Sequence, residues 1–298
     1  MKITGTELHL LAVFNSVVRN SGISAAQVEL GLSQPTISNH ITALEERLGV
    51  KLCQRGRRGF LLTEKGRIVH EMSQSLLATM AKHESKLAEL RGSLVGGIKI
   101  AVVDCLVSDP DFRLPEAIKV FVDAAPAVRI ELTVERPQDI LSGILDGSFD
   151  VGIGGFDNLV SGLDYETIYH EPHGLYCGRG HVLFDQPDDS LTSCDYTGYA
   201  WAHRRYWSRR RQRGWQLSEK DAFVQEIEAQ MALVLSGAFL GLLPEHAARA
   251  HVETGKLRRL PFSGPNLDVP MSLVTRNAPR PATIELFRKE MLALYPGD

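Results

Sequence analysis

The stretch Ser33-Gln34-Pro35-Thr36-Ile37-Ser38-Asn39-His40-Ile41-Thr42-Ala43-Leu44-Glu45-Glu46-Arg47-Leu48-Gly49 reads as one capped helix with two unlike faces. Ser33 is the N-cap, since its hydroxyl can accept from a first-turn amide. Pro35 is tolerated in that first turn, where its nitrogen needs no helical partner. Ile37, Ile41, Leu44 and Leu48 follow at steps of four, three and four and make one apolar stripe. The other face carries Gln34, Thr36, Ser38, Asn39, His40 and Thr42. These short hydrogen-bonding side chains suit base edges in a major groove. Gly49 ends the helix.

The neighbours on either side complete a small domain. Leu8, Leu11, Phe14, Val17 and Val18 predict an amphipathic first helix. A short second helix is expected from Ser24, as N-cap, to Leu30, closed by Gly31. Residues 51–62 read as a hairpin with Arg55, Arg57 and Arg58 at its tip, placed to neutralise phosphates. Three helices, a tight turn and a hairpin make a winged helix-turn-helix. A polar helix face and a charged hairpin also occur as plain solvated surface, and winged helices also serve as protein-interaction modules. Thr63 caps a long helix whose Ile68, Met72, Leu76, Met80, His83, Leu87 and Leu90 form a coiled-coil seam, read as a dimer contact. Gly92 to Gly97 reads as a linker.

Beyond the linker the pattern changes to strand–helix alternation. Strands are expected at 98–103, 128–134 and 149–153, with helices at 114–121 and 140–145. Further strands are expected at 165–169, 174–177 and 240–243, with a helical run from Ala222 to Leu235.

Charge is unevenly spread. Residues 1–67 carry nine Lys and Arg against five Asp and Glu, a balance of +4. With 33 and 36 in the whole chain, the rest carries 24 against 31, a balance of −7. A basic head joined to an acidic body fits a nucleic-acid partner at one end only. No basic-then-apolar leader precedes Glu7, and the longest apolar stretch, Met231 to Leu243, is too short for a bilayer. Cys53, Cys105, Cys177 and Cys194 form no C-x-x-C pair. A reduced cytoplasmic protein with no membrane partner is therefore expected.

The run Ser33 to Ser38, then Ile41, Leu44-Glu45, Leu48-Gly49, Leu52, Arg55 and Leu62-Thr63-Glu64-Lys65-Gly66, closely resembles the signature of LysR-type transcriptional regulators. Three positions depart from it: Ala26-Gln27 for paired alanines, Cys53 for a phenylalanine, and Asn39-His40 where an arginine is common. The resemblance continues through Gly97 to Ala101, Leu114-Pro115, Phe121, Pro126, Ile130 to Leu132, Leu145 to Gly147, Phe149 to Gly152, Leu233-Val234, Gly237 and Leu243-Pro244. It implies an α/β chain with a winged helix-turn-helix over 1–62, a linker and dimerisation helix over 63–92, and an effector domain over 93–298. That domain would resemble a periplasmic binding protein, with lobe I at 93–162 and 268–298 and lobe II at 163–267. The joining strands would lie near 161–163 and 267–269. Family partners would be double-stranded promoter DNA, a small-molecule effector, RNA polymerase, and further copies in a homodimer or homotetramer.

DNA contacts would come from Ser33, Gln34, Pro35, Thr36, Ser38, Asn39, His40, Thr42, Arg55, Arg57 and Arg58. Effector contacts are expected at the carboxyl ends of strands and at helix N-termini. By position these are Asp104, Cys105, Leu106, Glu135, Pro137, Trp201, Ala202, His203, Glu226 and Ile227. Cys105 and Pro137 stand where the family often has hydroxyls, which points to a more apolar or aromatic effector.

Other signals stay open. Trp201, Trp207 and Trp215 share a window with Arg204, Arg205, Arg209, Arg210, Arg211 and Arg213. It reads as a rim for an anionic ligand or partner, or as solvated surface anchored by the tryptophans. Cys105 reads as a redox thiol or as a small buried hydrophobe. His170-x-x-His173 and Cys177-x-x-x-His181 are metal-like spacings without a recognised cluster, so no metal and no cofactor is expected. No G-x-S-x-G, phosphate loop or dinucleotide motif occurs, so an enzyme is not expected. The leading expectation is an effector-modulated transcription regulator. The alternatives are an effector-independent or thiol-tuned regulator, and an enzyme or solute-binding protein on the two-lobe fold.

Overall fold

The computed structural model describes residues 4–56, 59–89, 94–192, 194–205, 218–262 and 267–296. The chain forms two compact units, Met1–Arg91 and Gly92–Asp298.

The first unit holds α1 (Gly5–Arg19), α2 (Ile23–Leu30), α3 (Gln34–Leu48), β1 (Cys53–Gly56), β2 (Gly59–Leu62) and α4 (Glu64–Glu89). Its core joins Leu10, Phe14 and Val17 of α1, Ala26 of α2 and Ile37, Ile41 and Leu44 of α3, with Leu52 and Cys53 of the wing. The stripe read from the sequence is therefore the buried face of α3. Ser33 caps that helix, its hydroxyl accepting from the Thr36 amide at 3.4 Å. Helix α2 starts two residues earlier than expected, with Gly22 and not Ser24 as N-cap. The turn before it needs a left-handed Ser21 (φ 55°) and a Gly22 at φ 157°, which moves the cap back. Thr63 caps α4, its hydroxyl accepting from the Gly66 amide at 2.9 Å. A Cβ on Gly66 would lie 1.9 Å from the Leu52 carbonyl oxygen, so only glycine lets α4 start against the wing.

Helix α4 has two apolar faces. Val69 and Leu76 pack on the core of this unit, and His70 and Ser73 meet Asn15 of α1 at 2.7 and 2.8 Å. Ile68, Met72 and Leu87 point outward and are exposed. Leu76, counted in the seam on sequence grounds, thus serves the fold of its own unit as well.

The second unit runs β3 (Gly96–Val102), α5 (Leu114–Ala124), β4 (Val128–Val134), α6 (Pro137–Asp146), β5 (Val151–Gly155) and β6 (Leu163–Gly178). It continues through α7 (Asp188–Leu191), β7 (Ala202–Arg204), β8 (Ala222–Val224), α8 (Ile227–Leu235) and β9 (Leu240–Pro244). It ends with α9 (Glu245–Glu253), β10 (Leu257–Leu260), β11 (Asp268–Arg276) and α10 (Ala282–Ala293). The large sheet has the order β10-β6-β11-β5-β3-β4, with β9 also on β6. Strand β3 is parallel to β4 and β5, while β11 is antiparallel to β5 and β6.

Two expectations change here. The runs at 165–169 and 174–177 are one strand, β6, and it serves both lobes. Residues Leu163–Pro172 pair with β11, then His173–Cys177 pair with β9. The first crossing between lobes therefore falls between Pro172 and His173, not near 161–163. Leu163 and Ile168 lie in the lobe I core with Phe121, Ile140, Ile153 and Phe287, so residues 163–172 belong to lobe I. The helical run from Ala222 is also divided: Ala222–Val224 is a strand parallel to β7, and α8 starts at Ile227. Gly96 and Gly97 of the expected linker already pair with β4. Among the described residues, no helix is long and apolar enough to cross a membrane.

Candidate functional site

On the first unit, burying Ile37, Ile41 and Leu44 turns the polar face of α3 outward. Ser33, Gln34, Pro35, Asn39 and Thr42 are exposed, while Thr36, Ser38 and His40 are half-buried. Several are engaged locally. The Gln34 amide donates to the Ser24 hydroxyl, tying α3 to α2. The Thr42 hydroxyl donates to the Ser38 carbonyl at 3.0 Å. The His40 ring meets His9 edge-on, 5.2 Å between centroids, so it leans toward α1. A groove lined by Ser21, Gly22, Ser24, Gln34, Ser38 and Phe60 runs beside the α3 N-terminus. Arg57 and Arg58, and the side chain of Arg55, lie outside the described residues.

Sequence reasoning missed the residue that hangs the wing on α3. Glu45 is buried near the end of that helix. Its carboxylate accepts from the Leu52 amide at 2.8 Å, the Cys53 amide at 3.3 Å and Lys51 Nζ at 2.7 Å. Burial pushes its carboxyl up, but Lys51 and the two amides outweigh that and hold it below the usual carboxylate range.

The residues expected for an inter-lobe site begin where β3 ends. Cys105 takes a left-handed conformation, φ 64°, which turns the chain sharply after Asp104. The Asp104 carboxylate accepts from the Ile227 amide at the start of α8, at 2.6 Å. A carboxylate there is favoured by the unpaired amides and dipole of the helix end. Burial nonetheless pushes Asp104 up to about 6; the amide opposes that, and nearby Glu228 adds to it. Glu226, the α8 N-cap residue, is exposed and Ile227 is buried. Leu106 is buried in the lobe I core. Glu135 is half-buried at the end of β4, its amide bonded to Val102. Pro137 is buried as the first residue of α6. Next to it, Arg136 reaches across to Gln225 of lobe II.

The expected aromatic end of the site is displaced. Trp201 lies in the lobe II core with Leu240, Tyr196 and Leu260. Its indole N–H donates to the Tyr196 carbonyl at 3.0 Å. His203 stacks on it, 6.0 Å between centroids, and contacts Asp221 at 3.2 Å. Alternation along a strand sends residues two apart to the same side. Trp201 and His203 therefore share the core side, and Arg204 takes the other. Buried Arg204 donates to His173 Nε2 at 2.6 Å and to the Leu242 carbonyl at 3.3 Å. Ala202 is buried, its carbonyl accepting from Gln230 at 2.7 Å. Trp207, Trp215, Arg209, Arg210, Arg211 and Arg213 lie outside the described residues.

A buried polar cluster gathers elsewhere in this unit. Glu171 and His173 on β6, His246 on α9, and Ser108 and Asp109 in the loop after β3 converge there. His246 meets Ser108 Oγ at 2.9 Å and Glu171 Oε1 at 3.0 Å. No local sequence pattern announced residues drawn from positions 108 to 246. The two metal-like spacings do not assemble. His170 is exposed while His173 is buried, as three residues along a strand dictate. Cys177 lies in the lobe II core, its thiol pushed up to about 11 by burial.

Comparison with known proteins now places the chain. Residues 8–67 match the family described as bacterial regulatory helix-turn-helix protein, lysR family, and residues 91–295 match LysR substrate binding domain. The chain belongs to the LysR family of transcriptional regulators. A LysR relative, HTH-type transcriptional activator BauR of Pseudomonas aeruginosa, is 34% identical over 94% of this chain and 92% of its own length. The RuBisCO operon transcriptional regulator of Allochromatium vinosum is 25% identical over 86% of this chain and 85% of its own. Among solved structures, full-length CbnR complexed with its target DNA covers 97% of this chain and 100% of its own, with TM-score 0.64 and 21% identity. The probable transcriptional regulator PA0477 of Pseudomonas aeruginosa covers 96% of each chain, with TM-score 0.70 and 20% identity. At these identities the LysR structures speak to the fold alone.

Proposed function

We propose that this LysR regulator reads double-stranded promoter DNA with the polar face of α3, and that a small-molecule effector acting between the lobes modulates that binding. The observation that carries the DNA reading is the division of α3: its aliphatic stripe is buried, and Gln34, Pro35, Asn39 and Thr42 are left exposed. Gln34, Ser38 and Asn39 are assigned to base edges; Arg55, Arg57 and Arg58 are assigned to phosphates. Two chains pair through the outward face of α4, where Ile68, Met72 and Leu87 are exposed, into a homodimer or homotetramer. Such a protein works in the cytoplasm, with RNA polymerase as a further partner and no catalysis of its own.

Effector contacts are assigned to Asp104, Cys105, Leu106, Glu135, Pro137, Glu226 and Ile227, joined by Arg204, which replaces Trp201, Ala202 and His203. The thiol-tuned alternative loses its support. Burial, with help from Glu228, pushes the Cys105 thiol up to about 11, so it holds little reactive thiolate at neutral pH.

The deciding experiment selects duplexes bound by the full chain from a random pool, then compares Gln34→Ala and Arg57→Ala on the winner. Gln34→Ala should relax discrimination at one base pair by about 1–3 kcal/mol. Arg57→Ala should weaken all duplexes alike and flatten the salt dependence by about one unit. Uniform loss from Gln34→Ala, with base preference intact, overturns the assignment.

A further inference from the structure

Asp109, Glu171 and His246 each turn one ligand-type atom toward the same point, and these atoms all lie within 4.8 Å of one another. His246 Nε2 is 3.0 Å from Glu171 Oε1 and 3.8 Å from Asp109 Oδ2. All three residues are buried. Asp109 Oδ1 accepts from the Asp111 amide at 3.0 Å, but Oδ2 has no hydrogen-bond partner. An unsatisfied carboxylate oxygen in the interior is costly unless a proton donor or a cation meets it.

The donor pattern sharpens this. Ser108 Oγ lies 3.2 Å from the Cys105 carbonyl and can give its one hydrogen there. It then accepts from His246 Nδ1–H at 2.9 Å. In that tautomer Nε2 carries a lone pair that faces Glu171 Oε1 and Asp109 Oδ2. Three acceptors then converge with no donor among them. Either the imidazole proton sits instead on Nε2, toward Glu171, with Ser108 donating to Nδ1, or a cation sits between the three.

We propose that these residues form a site for one divalent transition-metal ion, held by Asp109 Oδ2, Glu171 Oε1 and His246 Nε2. The dimensions suit it. Ligands about 2.0–2.2 Å from zinc in tetrahedral geometry lie about 3.2–3.6 Å apart, between the two His246 distances. The Ser108 hydroxyl on Nδ1 is the outer hydrogen bond that orients a ligating imidazole. Two carboxylates and one imidazole select Zn2+ or Mn2+ over a soft ion. Buried Arg204 donates to His173 Nε2. Tyr169, two residues before Glu171 on β6, shares the strand face from which Glu171 projects and brings its buried hydroxyl toward the Asp109 carboxylate, so it is the protein's own candidate donor to Oδ2 where no ion is bound.

The ligands come from three places: the loop after β3 in lobe I, β6 at its change of partner, and α9 in lobe II. An ion here ties the lobes together at the crossing, so it is a regulatory ligand in its own right. This inference does not depend on the organic effector or on the DNA contacts.

The test is equilibrium dialysis of chelator-stripped full-length protein against Zn2+, Mn2+ and Mg2+. One Zn2+ or Mn2+ per chain is expected, and no Mg2+ at the same concentrations. Asp109→Asn and His246→Gln should each weaken that binding by at least about 30-fold, in line with loss of a ligand. Both variants are checked by their melting temperatures without metal. Asp109→Asn removes a charge that lacks a partner, so it should melt no lower than the wild type. Co2+ loading gives a second readout, visible absorption bands of a tetrahedral site that both variants lose. Undiminished binding in both variants would place the ion elsewhere and overturn the proposal. So would no uptake by the wild type at millimolar Zn2+ and Mn2+, which would leave the contact between His246 and Glu171 as a plain hydrogen bond.

Discussion

Replacing Glu45 by alanine should loosen the wing from α3, the helix assigned above to base reading. Glu45 Oε1 is the acceptor for two wing amides, Leu52 at 2.8 Å and Cys53 at 3.3 Å. Both residues are buried, so water cannot readily take over. A buried amide left without an acceptor costs about 1–3 kcal/mol. Counting the short bond in full and the long one in part gives about 2–4 kcal/mol. The Lys51 pair adds little, because that side chain is 78% exposed. Glu45→Gln keeps the acceptor oxygen and should cost less than about 1.5 kcal/mol. Hydrogen exchange on the full-length chain separates the two. In Glu45→Ala, the Leu52 amide should exchange about 30- to 1,000-fold faster if local opening controls it. Affinity for every duplex should fall together, since the wing rather than the base contacts is displaced. The lowered carboxyl of Glu45 also sets a direction with pH. Its support is complete above the usual carboxylate range and is lost as pH falls through the lowered value. Wild-type protection of the Leu52 amide in Glu45→Ala would refute this reasoning.

Two further outcomes can be checked. Met72→Glu should split the dimer in sedimentation without loosening the head, because Met72 is 68% exposed whereas Leu76 also packs on the head core; an unchanged sedimentation coefficient would remove α4 as the contact. Asp104 rises from 3.8 to about 6 on folding, so its neutral form is favoured. Its contribution to stability is complete at low pH and declines as pH rises through about 6. Asp104→Asn should flatten the melting temperature between about pH 4 and 6; a variant that keeps the wild-type slope would assign that slope to another group.

Much of the head was legible because its signals are local. The α3 stripe and the Ser33 and Thr63 caps each rest on residues close in the chain. The start of α2 was misjudged because a glycine with unusual backbone angles outweighed a good capping serine. The body was harder. A 16-residue strand with an interior change of partner looks, by hydropathy, like two strands. The three-residue β8 is too short to show alternation before α8 begins. Trp201 and Arg204 were read as one rim, but a strand's two-residue period puts them on opposite sides. The polar cluster of Ser108, Asp109, Glu171, His173 and His246 was out of reach. Its members meet only because β6 passes between lobes and α9 folds back on it.

The path of β6 and β11 also sets an order of assembly. Lobe II is an excursion: the chain leaves lobe I along β6 and returns along the adjacent antiparallel β11. Lobe I buries Leu273 of β11 with Phe287 and Met291 of α10, segments that are synthesised only after lobe II. On a ribosome, β3, α5, β4, α6 and β5 therefore wait, half-built, while lobe II is made. The interval is about 5–20 s at bacterial elongation rates. During it, the apolar faces that β11 and α10 will cover stay open to water, chaperones and other chains. A truncation just ahead of β11 would thus strike lobe I, the lobe begun first, and spare the internal pairing of lobe II.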